Sequence, residues 1–224
     1  MSRSKLLLMV LSRLFGGVFF FMVIFLLPAG TWMYWQAWLY IGVLIIPMLF
    51  VLAYFMKHDP DLLERRMRMR EERGKQRKII YFSAVFFVLA YLLPGFDVRY
   101  GWSNMPAPLS IAAAVVMFLS YMLVFRTMQV NSFLSRVIEV VDNQKVIDTD
   151  VYGIVRHPMY VGMTILYIVS PLVLGSYWSV LPALVIIPVI VARILDEEKA
   201  LEQELPGYVE YKQKVKYRLI PFVW

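Results

Sequence analysis

The sequence predicts an all-α integral membrane protein of about six transmembrane helices, and three observations carry that prediction. Of the 224 residues, 60% are hydrophobic and 17% are charged, whereas soluble domains carry roughly a quarter charged residues. Two stretches contain no Asp, Glu, Lys or Arg, 14–56 with 43 residues and 157–192 with 36. One bilayer crossing needs only about 20 residues, so each stretch reads as a helical hairpin. The third observation is the division of charge. Six crossings that begin inside place 1–13, 57–78, 126–156 and 193–224 on one side, with 22 of the 23 Lys and Arg residues. Only Arg99 falls across the membrane. The basic side is expected to be cytoplasmic, with both termini on it, in a prokaryotic cytoplasmic membrane or the ER. The length suits a single membrane domain over 1–224, divided into four helices (1–125) and a polar-tipped remainder (126–224).

Each element has its own warrant. MSRSK resembles the opening of a signal peptide, but the apolar run continues into a second helix, so it reads as a retained first crossing. PAGTW at 28–32 supplies the turn of the first hairpin. The loop 57–78 holds nine basic and five acidic residues. In it Asp59 is placed to cap a helix whose first position is Pro60. Leu62, Leu63 and Met67 share one face among arginines, which reads as an interfacial helix on anionic lipid headgroups. No aromatic interleaving or known motif accompanies the charge, so nucleic acid is not expected as a partner. His58 reads as a surface residue. The runs 79–96 and 100–125 give one crossing each. Segment 131–160 is too polar to span, and β-like stretches around Asp142-Asn143 suggest a small hairpin or folded loop. The last hairpin turns at LGSYW (174–178). Its arms carry Pro171, Pro182 and Pro188, which favours a kinked or incompletely spanning hairpin. The sixth helix, from about Trp178 to Leu205, would be roughly 40 Å long and outlast the ~30 Å hydrocarbon core.

The chemistry is bounded first by what is missing. There is no cysteine, which removes disulfides, thiolate nucleophiles and Cys-based metal centres, and two histidines give no basis for a His-rich metal site. No metal is therefore expected. No GxGxxG follows a strand, and no GxxxxGK[ST], HExxH or GxSxG occurs, so no Rossmann domain is expected. The dense polar features all follow residue 126. In YGIVRHPMYVG (152–162), His157 takes a cap-like position and Pro158 begins a helix, leaving the Met159 and Tyr160 amides as unpaired donors. Such a helix start suits a carboxylate or phosphate, with Arg156 reinforcing the sign. The plainer alternative is a membrane-surface cap with Arg156 snorkelling to lipid phosphate. Farther on, Arg193 and Glu197 share one helix face, and the plainer reading there is an i,i+4 ion pair.

Four stretches in order, YGIVRHPMYVG (152–162), RILDEEKAL (193–201), YVEY (208–211) and RLIP (218–221), together resemble the isoprenylcysteine carboxyl methyltransferase family, which sits with the phospholipid methyltransferases. The resemblance covers about 126–224; the amino-terminal half agrees only in its helical hairpins. It implies a membrane methyltransferase using S-adenosyl-L-methionine, with a polar site under the cytoplasmic surface, a lipid-side entrance for a greasy acceptor, and membrane lipids as surroundings. It assigns cofactor contacts to Tyr152, His157, Pro158, Met159, Tyr160 and Glu197, and substrate binding to Arg193, so that Arg193 and Glu197 are the candidate catalytic residues. A segment that the resemblance assigns to the first wall of the cofactor pocket, and that the family often begins with His, aligns with Gln144, Lys145, Val146 and Ile147; here the His is Gln144, and the usual Gly before the tyrosine is Val151. A carboxylate acceptor needs alignment and exclusion of water rather than a general base, and Arg193 suits such a group by a forked contact. An isoprenylcysteine-like acid is therefore the expected acceptor. The other readings are a phospholipid amine N-methyltransferase, an NADPH-dependent reductase of the sterol type, and a non-catalytic membrane lipid-binding protein.

Overall fold

A computed structural model of the chain describes residues 3–67, 74–136, 138, 140, 141 and 143–224. Asp142 and the second half of the basic loop, 68–73, lie outside the described residues. The elements are α1 (Arg3–Ala29), α2 (Trp35–His58), α3 (Pro60–Arg66), α4 (Gly74–Tyr100), α5 (Ala107–Val130), a 3-10 turn (Asp150–Gly153), α6 (Pro158–Val173), α7 (Val180–Ala183), α8 (Ile186–Glu204) and α9 (Tyr208–Lys214). Four stretches are long and apolar enough to cross a membrane: α1, α2, Tyr81–Tyr100 of α4, and α5.

The final hairpin is shorter than these. With 16 residues, α6 is about 24 Å long, less than the ~30 Å core. The single helix expected from Trp178 to Leu205 is broken. Pro188 has no N–H to return to the Leu184 carbonyl, and the chain passes through i→i+3 bonds instead (Val185 N to Pro182 O, 3.3 Å; Ile187 N to Leu184 O, 3.1 Å). What results is α7 with four residues and α8 with nineteen. Leu205, extended before Pro206, ends α8, and Gly207 at φ 86° reverses the chain into α9.

Two groups of contacts define the ends of the bundle. At one end the start of α1, the end of α2, α3, the end of α5 and the start of α6 share a cluster that includes Leu6, Phe55, Leu62, Met128 and Met159. As expected, Asp59 caps α3, accepting from the Leu62 amide at 2.9 Å. Lys5, Arg13, Lys57, Arg65, Arg66, Arg126 and Arg156 lie in or beside these segments, so we call it the basic end. At the other end, the fully buried Asp97 carboxylate accepts from the Ser103 amide (2.6 Å) and hydroxyl (2.7 Å) and from the Ser176 hydroxyl (2.5 Å). Tyr34 donates to the Leu174 carbonyl nearby (2.5 Å). The turns after α1, α4 and α6 are therefore tied together at the end opposite the basic one.

Close helix approach comes from small residues. A Cβ on Gly162 of α6 would lie 2.8 Å from Val124 Cγ2 and 2.9 Å from the Ser120 carbonyl of α5, and one on Gly95 of α4 would lie 2.7 Å from the Phe25 carbonyl of α1. Between them, the buried hydroxyls of Tyr40, Tyr91 and Ser170 form a triangle joining α2, α4 and α6. Each satisfies a polar group that an apolar interior would otherwise penalise.

The folded-loop reading of 131–160 holds, and the strand reading does not: no strand occurs among the described residues. Asn143 adopts φ 59°, and Gln144 closes the turn on Val141 twice, by its amide (3.1 Å) and by its side-chain oxygen (3.0 Å). That side chain takes the Val141 N–H which a ladder would have used.

Candidate active site

At the basic end, a cavity of about 700 Å³ opens among α2, α3, α5, α6, α8, α9 and the 131–152 loop. The volume falls in the range of small-molecule sites, roughly 300–1,000 Å³. All eleven residues assigned from the sequence line it: 144–147, Tyr152, the HPMY element at 157–160, Arg193 and Glu197.

Its polar wall is built on two helices. Pro158 occupies the first position of α6, which leaves His157 at the cap with φ −125°. One turn in, the Tyr160 hydroxyl accepts from Arg193 Nε (2.8 Å) and donates to Glu197 Oε2 (2.6 Å). Arg193 and Glu197 thus share a face of α8, as their spacing requires, with a phenol bridging them. Arg193 is held at its far side as well, by Nη2 donating to the Arg136 carbonyl at 2.6 Å. The amide cradle is smaller than expected. Tyr160 N–H donates to the His157 carbonyl at 3.0 Å, so Met159 is the first-turn amide with no acceptor among the described residues.

Behind this wall lies a buried ion cluster. Glu198 is 3% exposed and accepts from Arg156 Nε (2.8 Å), His157 Nε2 (3.3 Å) and Arg218 Nε (2.9 Å). His157 Nδ1 faces Glu197 at 3.9 Å, so its ring stands between consecutive carboxylates. Burial alone would raise the Glu198 carboxyl, but hydrogen bonds from His157 and Arg156 and their charges outweigh it and hold the group at about 2. Arg156 does not snorkel to lipid. It is 5% exposed, and Nη1 donates to the Val215 (2.7 Å) and Lys216 (2.8 Å) carbonyls. The amides of Arg156 and His157 donate to the carbonyls of Tyr217 (2.9 Å) and Arg218 (3.0 Å), strapping the carboxy-terminal segment across the start of α6.

The remaining walls come from residues that sequence reasoning did not assign. Asn131, at the end of α5, donates to the Tyr152 hydroxyl at 3.0 Å, and Tyr211 donates to the Tyr152 carbonyl at 2.8 Å. Burial pushes the Tyr152 phenol up, so it serves as a neutral hydrogen-bonding group. Tyr208 and Tyr211 form an apolar end of the cavity with Leu205 and Val146. Their YVEY spacing was the available signal. Arg65 and Arg66 of α3 bond to the carbonyls of Ser132 and Ser135, Arg66 at 3.0 Å, and so brace the loop over the cavity. Their position in a run of surface-like charge gave no sign of this.

A helical bundle of crossing length with a polar pocket at one end of its apolar wall defines the class, a helical membrane protein with a polar site at one end of the bundle. The comparisons make the class more particular. Residues 109–205 match the family model described as phospholipid methyltransferase. Among solved structures, the eukaryotic intramembrane Ras methyltransferase (isoprenylcysteine carboxyl methyltransferase) is similar with a TM-score of 0.56 and 20% identity, over 92% of this chain and 74% of that one. No curated protein matches the sequence. The solved structure shares the fold of this chain, and both matches agree with the resemblance carried by the motifs.

Proposed function

We propose that the protein is an S-adenosyl-L-methionine-dependent methyltransferase acting on a lipophilic acid drawn from the bilayer, by carboxyl O-methylation of an isoprenylcysteine-like substrate. The observation that carries this reading is the convergence of all eleven assigned residues, from four separate segments, on one cavity. The residues fit the cofactor: Glu197 for a cationic or hydroxyl group, the Met159 amide for a carboxylate, and the Tyr208–Tyr211–Leu205–Val146 end for an apolar ring. When bound, this cofactor supplies an electrophilic methyl group.

The chain's own residues do the rest. Arg193, fixed by Tyr160 on one side and the Arg136 carbonyl on the other, presents a guanidinium of set orientation for a carboxylate. Tyr160 couples that clamp to Glu197, so the acceptor and donor sides of the site are positioned by one hydroxyl. Apolar residues from α2, α5 and α6, among them Leu52, Met128 and Met163, wall the cavity against water and suit a hydrocarbon chain. A carboxylate acceptor loses no proton on methylation, which agrees with a site that needs no dedicated base. We further assign the cofactor-binding core to 126–224, and the basic end, with both termini, to the cytoplasmic face of a prokaryotic cytoplasmic membrane or the ER membrane.

The match to a phospholipid methyltransferase model favours a second reading, N-methylation of a phospholipid amine. One set of measurements separates the possibilities. The purified protein in detergent is titrated calorimetrically with S-adenosylmethionine, S-adenosylhomocysteine and NADPH. It is then assayed for labelled-methyl transfer to N-acetyl-S-farnesylcysteine and to phosphatidylethanolamine. Binding of both adenosyl compounds and labelling of the prenylated acid are expected. NADPH binding alone would move the protein to the reductases, and labelling of the amine lipid alone would replace the carboxylate reading. Binding of none of the three would leave the non-catalytic reading.

A further inference from the structure

We infer that residues 216–224 form a hook that seats in the anionic headgroup boundary of the bilayer, beside the start of α6. Three of its side chains are apolar and well exposed, Ile220 at 55%, Phe222 at 88% and Val223 at 75%. Lipid covers the apolar faces of the crossing helices, but this segment follows α9 and belongs to none of them. The hook is a closed turn. The Trp224 carbonyl oxygen accepts from the amides of Arg218 (3.0 Å), Leu219 (2.9 Å) and Ile220 (3.0 Å), and the Ile220 carbonyl accepts from those of Val223 (3.1 Å) and Trp224 (3.0 Å). The Tyr217 and Phe222 rings meet at 5.3 Å, and the Arg218 guanidinium lies over the Trp224 ring at 5.1 Å. Phe222 itself takes φ 65°, which a bulky residue rarely adopts. The turn thus holds an apolar knob outward, an arrangement that is unfavourable in water and favourable in lipid.

Height and charge together fix what covers the knob. The Tyr217 and Arg218 carbonyls accept from the Arg156 (2.9 Å) and His157 (3.0 Å) amides, so the hook is tied to the level at which α6 begins. There the chain enters the 36-residue run 157–192 without Asp, Glu, Lys or Arg, which places the boundary between headgroups and hydrocarbon at that level. Between 211 and 224 there are four basic residues, Lys212, Lys214, Lys216 and Arg218, and no acidic one. Lys216 is exposed and has no carboxylate partner among the described residues. The Lys214 side chain is 65% exposed, in a surface pair with Asp148 that solvent weakens. Apolar and aromatic side chains flanked by lysines are the pattern an anionic lipid surface takes up. Trp224, packed under Arg218, is of a residue type enriched at that depth.

Because the chain has no cysteine, single fluorescent labels test this directly. Phe222→Cys, Val223→Cys and a control, Gln213→Cys at an exposed position of α9, are each labelled with a nitrobenzoxadiazole maleimide. The full chain is then reconstituted in phosphatidylcholine nanodiscs with and without phosphatidylglycerol. Emission is quenched from water with iodide, or from the bilayer with phosphatidylcholine carrying a doxyl group near the top of its acyl chain. Labels at 222 and 223 should be quenched by the doxyl lipid and several-fold less by iodide than the label at 213. Doxyl quenching should deepen with phosphatidylglycerol, and high salt or an added Lys216→Gln should reduce that gain. Two positions are labelled because one replacement could distort the turn; doxyl quenching at either suffices to place the hook in lipid. Iodide quenching at both 222 and 223 equal to that at 213 overturns the inference by leaving the knob in water. Shielding from both quenchers overturns it by placing protein against the knob. Doxyl quenching that phosphatidylglycerol and salt leave unchanged overturns it by removing charge from the recognition.

Discussion

Under the proposed function, single residues in this site have separable jobs. Removal of the Glu197 carboxylate should lower S-adenosylmethionine affinity by at least about tenfold, the worth of a charge-assisted hydrogen bond. Calorimetry on Glu197→Ala checks this, and wild-type affinity there would dismiss the assignment. Arg193→Ala should keep cofactor affinity and lose methyl transfer; equal loss of both would deny the division of roles. Glu198 lies beyond the apolar part of α8 and gives a pH prediction. Its carboxyl is held at about 2, below the ordinary 4.5. The stability this confers is fully present above about pH 4.5 and is lost as pH falls toward 2. Melting curves between pH 6 and 2 should show that loss in wild type and a flatter profile in Glu198→Gln. At this scale the sequence was unevenly legible. Asp59 and Pro158 could be placed because capping is local chemistry. The setting of Arg156 was hidden because its side-chain partners, Glu198 and the Val215 and Lys216 carbonyls, lie 42 to 60 residues away.

At the scale of elements, hydropathy found the helices, and proline decided how they run. Four crossing-length helices follow from apolar run length alone, a signal that survives without knowledge of packing. The break before α8 follows from Pro188, and the sequence marked that residue without marking which bonds would replace the lost one. The α5–α6 contact was not visible, because glycine and serine at helix surfaces carry no hydropathy signature. It is testable. Gly162→Ala puts a methyl 2.8 Å from Val124 Cγ2 and 2.9 Å from the Ser120 carbonyl. A loss of about 1–3 kcal/mol is expected, read as a lowered melting temperature in detergent. Gly42→Ala, where a Cβ meets nothing within 4 Å, is the control and should not show it.

For the whole molecule, the absence of cysteine gives a clean test of orientation. A cysteine replacing Met33, which is 90% exposed at the end away from the site, should react with a membrane-impermeant maleimide on intact cells. One replacing Lys214, with its side chain 65% exposed, should react only after permeabilisation. The reverse pattern would invert the assigned topology. The strap across the start of α6 has a consequence for the order of assembly. Arg156 and His157 leave the ribosome some sixty residues before the carbonyls of 215–218 that bind them. Until then the α6 start lacks its partners, and Glu198, which arrives in between, cannot complete its ring of donors without Arg218. The pocket therefore matures only after α6, α7 and α8 are in place, so a nascent chain with a misplaced final hairpin would reach full length without a competent site.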